Sequence, residues 1–149
     1  MSLQTELMVK LKEAMKAKNT LALESLRAVK SAILLAQTES GAKEELTEDQ
    51  ELKLVQRLVK QRKDSAVLFS DQGREDLAEP ELAQAKIISQ FLPEQMSEEA
   101  VKEVILAIIS QTGAVGMKDM GKVMGMASKQ LAGKADGKTI SVIVKASLT

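Results

Sequence analysis

The sequence predicts an all-α protein, with an N-terminal domain of about four helices followed by a small C-terminal domain of three. Apolar residues recur every three or four positions along most of the chain, which is the spacing of a helix face. Only two of the 149 residues are aromatic, Phe69 and Phe91, so aliphatic and Met side chains must fill the core. A β-sandwich would use more Tyr, Phe and Trp.

Four helices are predicted in the N-terminal domain, residues 1–92. Their starts are marked by Leu3, by Asn19 as a cap, by Thr47 and Gln50 as a capping box, and by Pro80 in a first turn. The ends of the last three are marked by Ser40–Gly41, Gly73 and Gln90.

The predicted boundary with the C-terminal domain, residues 93–149, lies at a proline. Pro93 disfavours helix at Leu92, and Ser97 caps a new helix that Gly113 ends. Two more helices are expected, one from about Met117 to Ala132 and one from Gly137 to Leu148, with Asp136 as its cap.

Charge is unevenly distributed along a chain whose formal net charge is zero. Residues 1–92 carry 14 basic and 15 acidic side chains, and residues 93–113 carry one Lys against four Glu. Residues 114–149 carry six Lys against two Asp, an excess of four positive charges. The C-terminal helix pair is therefore the part of the protein that suits polyanions such as nucleic acid.

Three lysines of the sixth predicted helix share one edge. At 100° per residue, Lys118, Lys122 and Lys129 fall within a sector about 40° wide. Gly125 lies close to this edge and Gly121 one step further round, so a bulky ligand can approach the backbone there without meeting side chains.

The start of the seventh helix adds two more lysines. Lys134 and Lys138 flank a helix N-terminus, whose free amides and positive dipole end favour a phosphate. These two and the three on the helix edge are the predicted RNA-binding residues, and the contacts expected are to phosphate.

Each of these features also has an ordinary structural interpretation. A lysine row opposite an apolar row is typical of any solvated helix, and Asp136 is a cap before it is a functional carboxylate. Met117, Met120 and Met124 are better explained as core fillers than as a soft binding surface. With two aromatics, stacking on unpaired bases is disfavoured, so a duplex or the elbow of a folded RNA fits better than a single strand.

The absence of His and Cys restricts the chemistry that this chain can perform. It excludes disulfides and thiolate nucleophiles and removes the usual general base and the commonest metal ligand. We predict no catalytic residue, no metal and no cofactor. The start of the chain lacks a basic-then-apolar signal and no run of about 18 apolar residues exists, which predicts a cytoplasmic protein that does not enter membranes.

Residues 132–139, AGKADGKT, resemble a phosphate loop. A working loop of this kind follows a buried parallel strand inside an α/β domain, whereas the preceding residues are predicted to be helical. We therefore reject nucleotide hydrolysis.

Arg62 is an anomaly in the N-terminal domain because it lies on the apolar stripe of the third helix. A buried charge needs a partner, so we expect a structural bridge to a carboxylate, with Asp76 and Glu81 as candidates. A ligand-binding role for Arg62 is the less favoured alternative.

Several segments resemble the GatB/YqeY family, and together they cover nearly the whole chain. In the C-terminal domain they are Leu92–Glu99, Gly113–Met124 and Gly133–Lys138. In the N-terminal domain, Leu26–Ile33, Lys60–Ser65 and Gly73–Leu77 are similar to the stand-alone YqeY-type members.

The resemblance implies a helical front domain joined to a tail like the one that closes the B subunit of aspartyl/glutamyl-tRNA amidotransferase. In that enzyme the tail touches tRNA, while catalysis occurs elsewhere. The resemblance thus implies binding, at Lys118, Lys122, Lys134 and Lys138 as the matching basic positions, and not catalysis.

Three functions stay open at this point. The first is binding of tRNA or another folded RNA, with a protein partner on the N-terminal domain. The second is an accessory role in glutamine-dependent amidation of aminoacyl-tRNA, a carbon–nitrogen ligase reaction with glutamine as amido-N-donor that needs other subunits. The third is a plain protein–protein interaction module.

Overall fold

The protein is described by a computed structural model, which covers residues 2–39 and 45–149. Over these residues the chain forms seven α-helices and one short 3-10 helix, Met117–Asp119, and no strand. The α-helices are α1 Leu3–Lys16, α2 Thr20–Glu39, α3 Glu48–Asp71, α4 Glu75–Ser89, α5 Glu98–Thr112, α6 Met120–Gln130 and α7 Gly137–Leu148. The all-α prediction is confirmed.

Packing divides the chain into two compact units, Met1–Leu92 and Pro93–Thr149. That each unit is a domain able to fold alone stays a prediction. In the part of the chain that the structure covers, no single helix is long and apolar enough to cross a membrane. The two helical segments Glu98–Thr112 and Met117–Gln130 are long and apolar enough only when they are taken together, and a bend of 98° separates them.

The first unit is built around the α3–α4 hairpin. The two helices of the hairpin make the most extensive contact in the chain, and α2 packs on both of them and on α1. The centre of this unit is aliphatic and includes the fully or almost fully buried side chains Leu7, Leu26, Val29, Val55 and Ile88. Ser25 is also completely buried, and its hydroxyl donates to the Leu21 carbonyl of its own helix at 2.8 Å.

Local capping chemistry positions the helices of the first unit as predicted at three points. The Asn19 side chain accepts from the amide of Ala22 at 3.1 Å. Thr47 and Gln50 form the reciprocal capping box, at 3.2 and 2.9 Å. Gly73 adopts a left-handed φ of 73° after α3. The predicted end of α2 at Ser40–Gly41 lies outside the described residues.

The predicted start of α4 at Pro80 is wrong, because the helix begins five residues earlier at Glu75 and contains Pro80. Glu75 and Asp76 occupy the first turn, where the positive end of the dipole favours carboxylates. Ala78 is completely buried, so packing holds the segment before the proline in the helix.

The predicted partner of Arg62 is also wrong. Its Nε donates to Gln84 Oε1 at 3.1 Å and one guanidinium nitrogen donates to the Leu58 carbonyl at 3.2 Å. Asp76 instead pairs with Arg74 at 2.9 Å, and this guanidinium holds the pKa of Asp76 below its usual value. Arg62 is only half-buried, so its guanidinium charge still contacts water. A hydrogen bond to a neutral amide is therefore sufficient, and no carboxylate partner is needed.

The second unit is a three-helix bundle in which each helix packs on the other two. Its core is aliphatic and includes Val101, Ile105, Ile108, Val123, Ala127 and Val144. Ser97 caps α5 by accepting from the Ala100 amide at 3.2 Å, and Gly113 ends that helix with a left-handed φ of 66°. Both were predicted from the sequence.

The sixth helix is shorter than predicted, and Met117 does not begin it. Residues 117–119 form a 3-10 turn, which follows Gly116 at a φ of 74°. Asp119 accepts from the Val115 amide at 2.8 Å and so closes the loop before α6. Met120 and Met124 pack against the core as expected, whereas Met117 is 44% exposed and does not fill it.

Candidate nucleic-acid interface

One side of α6 is open to solvent and carries small and basic residues only. The exposed residues on this side are Gly121, Lys122, Gly125, Ser128 and Lys129. At 100° per residue the two glycines lie between Ser128 and the two lysines, opposite buried Val123 and Ala127. The result is a smooth strip of backbone with two ammonium groups along one margin.

Nothing in the fold requires the two glycines of this strip. Neither Gly121 nor Gly125 has a positive φ, and a Cβ added at either would meet no atom within 4 Å. A glycine inside a helix costs about 1 kcal/mol relative to alanine. Helix α6 is therefore less stable than it would be with alanine at these two positions. What the glycines provide is close access for a ligand to the helix backbone.

The sequence places Lys118 on the same edge as Lys122 and Lys129 of α6, and this shared edge stays a prediction. Lys118 lies in the 3-10 helix, where successive residues are separated by about 120°, so the single helical wheel does not apply across the junction. Within α6 itself, Lys122 and Lys129 lie two turns apart. Lys118 is exposed one turn before them.

Lys134 and Lys138 are both exposed and flank the start of α7. Lys134 lies in the loop between α6 and α7, and its carbonyl accepts from the Met96 amide at 3.0 Å. Lys138 is the second residue of α7. The loop is thus anchored through its backbone, which leaves the ammonium group of Lys134 at the surface.

Gln95 fixes the same loop and was missed by the sequence analysis. Its side-chain amide donates to the Gly133 carbonyl at 2.7 Å and to the Pro93 carbonyl at 2.9 Å. The contact with Gly133 spans 38 residues, so no local sequence signal identifies it.

The α7 amides are less available to an anion than predicted. Asp136 caps the helix by accepting from the Thr139 amide at 2.7 Å. Its carboxylate occupies the N-terminus, takes one of the amides and repels a second negative charge. The cap prediction for Asp136 is confirmed.

The five lysines make no ion pair with any carboxylate that the structure describes. Ion pairs within the described ranges are Lys10–Glu13, Lys60–Asp64 and Arg74–Asp76, and all three lie in the first unit. An ammonium group without a carboxylate partner keeps its full attraction for an external anion. Side chains of this kind suit phosphate groups.

The profile of the family described as Yqey-like protein matches residues 4–148. The chain is 33% identical over 132 residues to a protein of Clavispora lusitaniae named Altered inheritance of mitochondria protein 41, mitochondrial, covering 87% of this chain and 74% of that protein. It is 30% identical over 128 residues to the protein of that name from Pyrenophora tritici-repentis, covering 84% and 68%. Both names place those relatives in mitochondria, so the cytoplasmic location of this chain stays a prediction.

A third relative is part of an enzyme. The chain is 33% identical over 81 residues to the E subunit of glutamyl-tRNA(Gln) amidotransferase from Thermococcus gammatolerans, and the match covers 52% of this chain and 13% of that protein. The matched stretch is longer than the whole second unit, so it includes part of the first. The family profile matches nearly the full length of this chain, and the two mitochondrial relatives align with it over most of their own length. This chain therefore belongs to the Yqey-like family.

Proposed function

We propose that the second unit binds tRNA or a similarly folded RNA through its phosphates. The observation that carries this proposal is the exposure of Lys118, Lys122, Lys129, Lys134 and Lys138, none of them paired with a described carboxylate. They lie in a stretch with an excess of four positive charges. Contacts of this kind position a protein on a nucleic-acid backbone without reading its sequence.

The shape of α6 supports a folded RNA in preference to a bare single strand. Gly121 and Gly125 leave the helix backbone open to a bulky, smooth partner such as a duplex. Both aromatic residues of the chain, Phe69 and Phe91, lie outside residues 93–149, so this unit has no ring on which a base can stack. Recognition then depends on phosphates and shape.

Titration of fluorescently labelled tRNA at two salt concentrations tests the proposal. Replacing Lys118, Lys122 and Lys129 with Gln should weaken binding and lower the slope of log K against log salt by about 2 to 3. Gly125→Leu should weaken binding without unfolding α6. The matched control replaces Lys12, Lys30 and Lys53, three exposed lysines of the first unit, with Gln. Absence of binding near physiological salt, or equal weakening by the control, would reject the proposal.

A second candidate function is an accessory role in amidation of aminoacyl-tRNA with glutamine as amido-N-donor. It is supported by the similarity to part of an amidotransferase over 81 residues. Because that match covers 13% of the amidotransferase chain, the reaction would need other subunits. The chain alone should then show no glutaminase activity, and its addition to the remaining subunits should raise turnover. Unchanged turnover would reject this role.

The first unit is the candidate site for a protein partner. It exposes large aliphatic side chains, and the most exposed are Leu34, Leu35, Val67, Leu68 and Leu82. Exposed apolar groups on helices are common at interaction surfaces. Co-purification of one protein that persists after nuclease treatment would support the interaction module, and loss of all bound proteins after nuclease would favour RNA as the ligand.

A further inference from the structure

A surface groove runs between α5 and α7 of the second unit and has a volume of about 420 Å³. Its floor is aliphatic and formed by Leu106, Val142, Ile143 and Ala146. Leu106 is 46% exposed and Val142 60% exposed, although the core beneath them is closed by Ile105, Ile108 and Val144. The fold therefore does not need these two side chains, and they remain available to a partner.

The charges around the groove are ordered along its length. Glu98 and Glu99, from the first turn of α5, line it together with Ala146 and Ser147 of the last turn of α7. The two helices therefore run antiparallel past the groove. The opposed dipoles of α5 and α7 offset each other at this end, so the two carboxylates are the groups that favour a cation there. Lys102 is the single basic residue lining it.

The acidic end argues against RNA as the occupant, because carboxylates repel phosphates. The aliphatic floor between two antiparallel helices fits the apolar stripe of a third helix, since such grooves accept residues at i, i+3 or i+4 and i+7. A positive charge at one end of that helix would face Glu98 and Glu99. We propose that this groove binds an amphipathic helix of a partner protein, with an apolar stripe on the groove floor and Lys or Arg against Glu98 and Glu99.

This site differs from the strip of α6, although Lys138 lies on α7 one turn before the groove residue Val142. The open strip of α6 lies opposite Val123 and Ala127, the residues with which α6 enters the core, whereas the groove is formed by α5 and α7 alone. An RNA on α6 and a helix between α5 and α7 therefore use different surfaces. The second unit would then join a folded RNA to a protein.

The test is a titration of the isotopically labelled full chain, followed by NMR, with a capped 15-residue helical peptide of Leu and Lys. A peptide with Glu in place of every Lys is the control. The Lys peptide should shift amide signals of α5 and α7 at the groove and should bind at least about tenfold more tightly than the Glu peptide. Shifts spread over both units, or equal binding of the two peptides, would overturn the proposal.

Two variants assign any binding to the groove. Val142→Asp places a charge on an exposed part of its floor and should lower peptide affinity at least about tenfold. The pair Glu98→Gln and Glu99→Gln should reduce the preference for the Lys peptide. Unaltered affinity in Val142→Asp would contradict the site. A concentration-dependent dimer that this substitution abolishes, without peptide binding, would show that a second copy occupies the groove instead.

Discussion

The side-chain amide of Gln95 donates to the backbone carbonyl of Gly133 at 2.7 Å and so joins the segment before α5 to the loop before α7. The Met96 amide donates to the Lys134 carbonyl beside it, at 3.0 Å. Two hydrogen bonds from one segment thus hold the loop that presents Lys134.

Gln95→Ala should lower the free energy of unfolding of the second unit by about 1 kcal/mol, since the Gly133 carbonyl loses its side-chain donor. Gly133 is buried, so water does not readily replace that donor. Chemical denaturation with amide hydrogen exchange of residues 131–136 would measure both stability and loop protection. Gln111→Ala, at an exposed position of α5, is the control. Equal effects of the two substitutions would contradict the role of Gln95.

Two glycines of the second unit should respond oppositely to alanine. Gly125→Ala should stabilise the protein by about 0.5 to 1 kcal/mol, because the helix gains propensity and the added Cβ meets no atom within 4 Å. Gly113→Ala should destabilise it by about 1 kcal/mol, because its φ of 66° disfavours a side chain. Urea denaturation of the full chain would compare them. Destabilisation by Gly125→Ala would show that the α6 strip is not as open as described.

Arg62→Met should cost only about 1 to 2 kcal/mol. Its hydrogen bonds to Gln84 and to the Leu58 carbonyl are lost, but no buried carboxylate is left alone. Breaking a buried ion pair costs about 3 to 5 kcal/mol. Thermal unfolding against Arg57→Met, an exposed arginine on the same helix, would measure the difference. A loss of about 3 to 5 kcal/mol would instead support the carboxylate partner that the sequence predicted.

Burial raises the pKa of Glu51, and the nearby carboxylates of Glu48, Glu45 and Glu6 act in the same direction, against a lowering by the Leu3 amide. The folded state then holds the proton more tightly than the unfolded state, so stability falls as the pH rises from the ordinary carboxyl value through the raised one. Glu51→Gln should therefore stabilise the protein at pH 7 and not below pH 4.

Unfolding free energies of this variant between pH 3 and 7 would check the sign. Glu24→Gln, on an exposed position of α2, is the control. A destabilising effect of Glu51→Gln at pH 7 would contradict the raised pKa.

Residues 93–149, expressed alone, should fold. Their three helices enclose a core of their own that includes Val101, Ile105, Val123 and Val144, and domains of about this length can fold independently. Circular dichroism should show a helical spectrum and one cooperative thermal transition. A fragment without helical signal would show that the second unit needs the first.

Residues whose structure is set by their neighbours in the chain could be predicted from the sequence. Thr47 with Gln50, Ser97, Gly113 and Asp136 act through hydrogen bonds or φ values within four residues, and all are found where the sequence placed them.

Features that depend on packing could not be predicted. Burial of Ala78 extends α4 beyond its proline, and the partner of Arg62 lies 22 residues away on another helix. Residues 117–119 form a 3-10 turn, although the sequence predicted that α6 begins at Met117. The contact of Gln95 with Gly133 has no local signature at all.

The buried hydroxyl of Ser25 bonds only within its own helix, and no other polar or charged side chain is buried in the parts of the chain covered by the structure. The hydrogen bond between Arg62 of α3 and Gln84 of α4 is only partly buried, so among the described residues no fully buried polar pair dictates which aliphatic shapes may meet. Such interiors accept many combinations of Leu, Ile, Val and Met if total volume is kept. Combinatorial libraries at these positions should return many folded sequences, so divergence inside the two bundles carries little information about what the protein does.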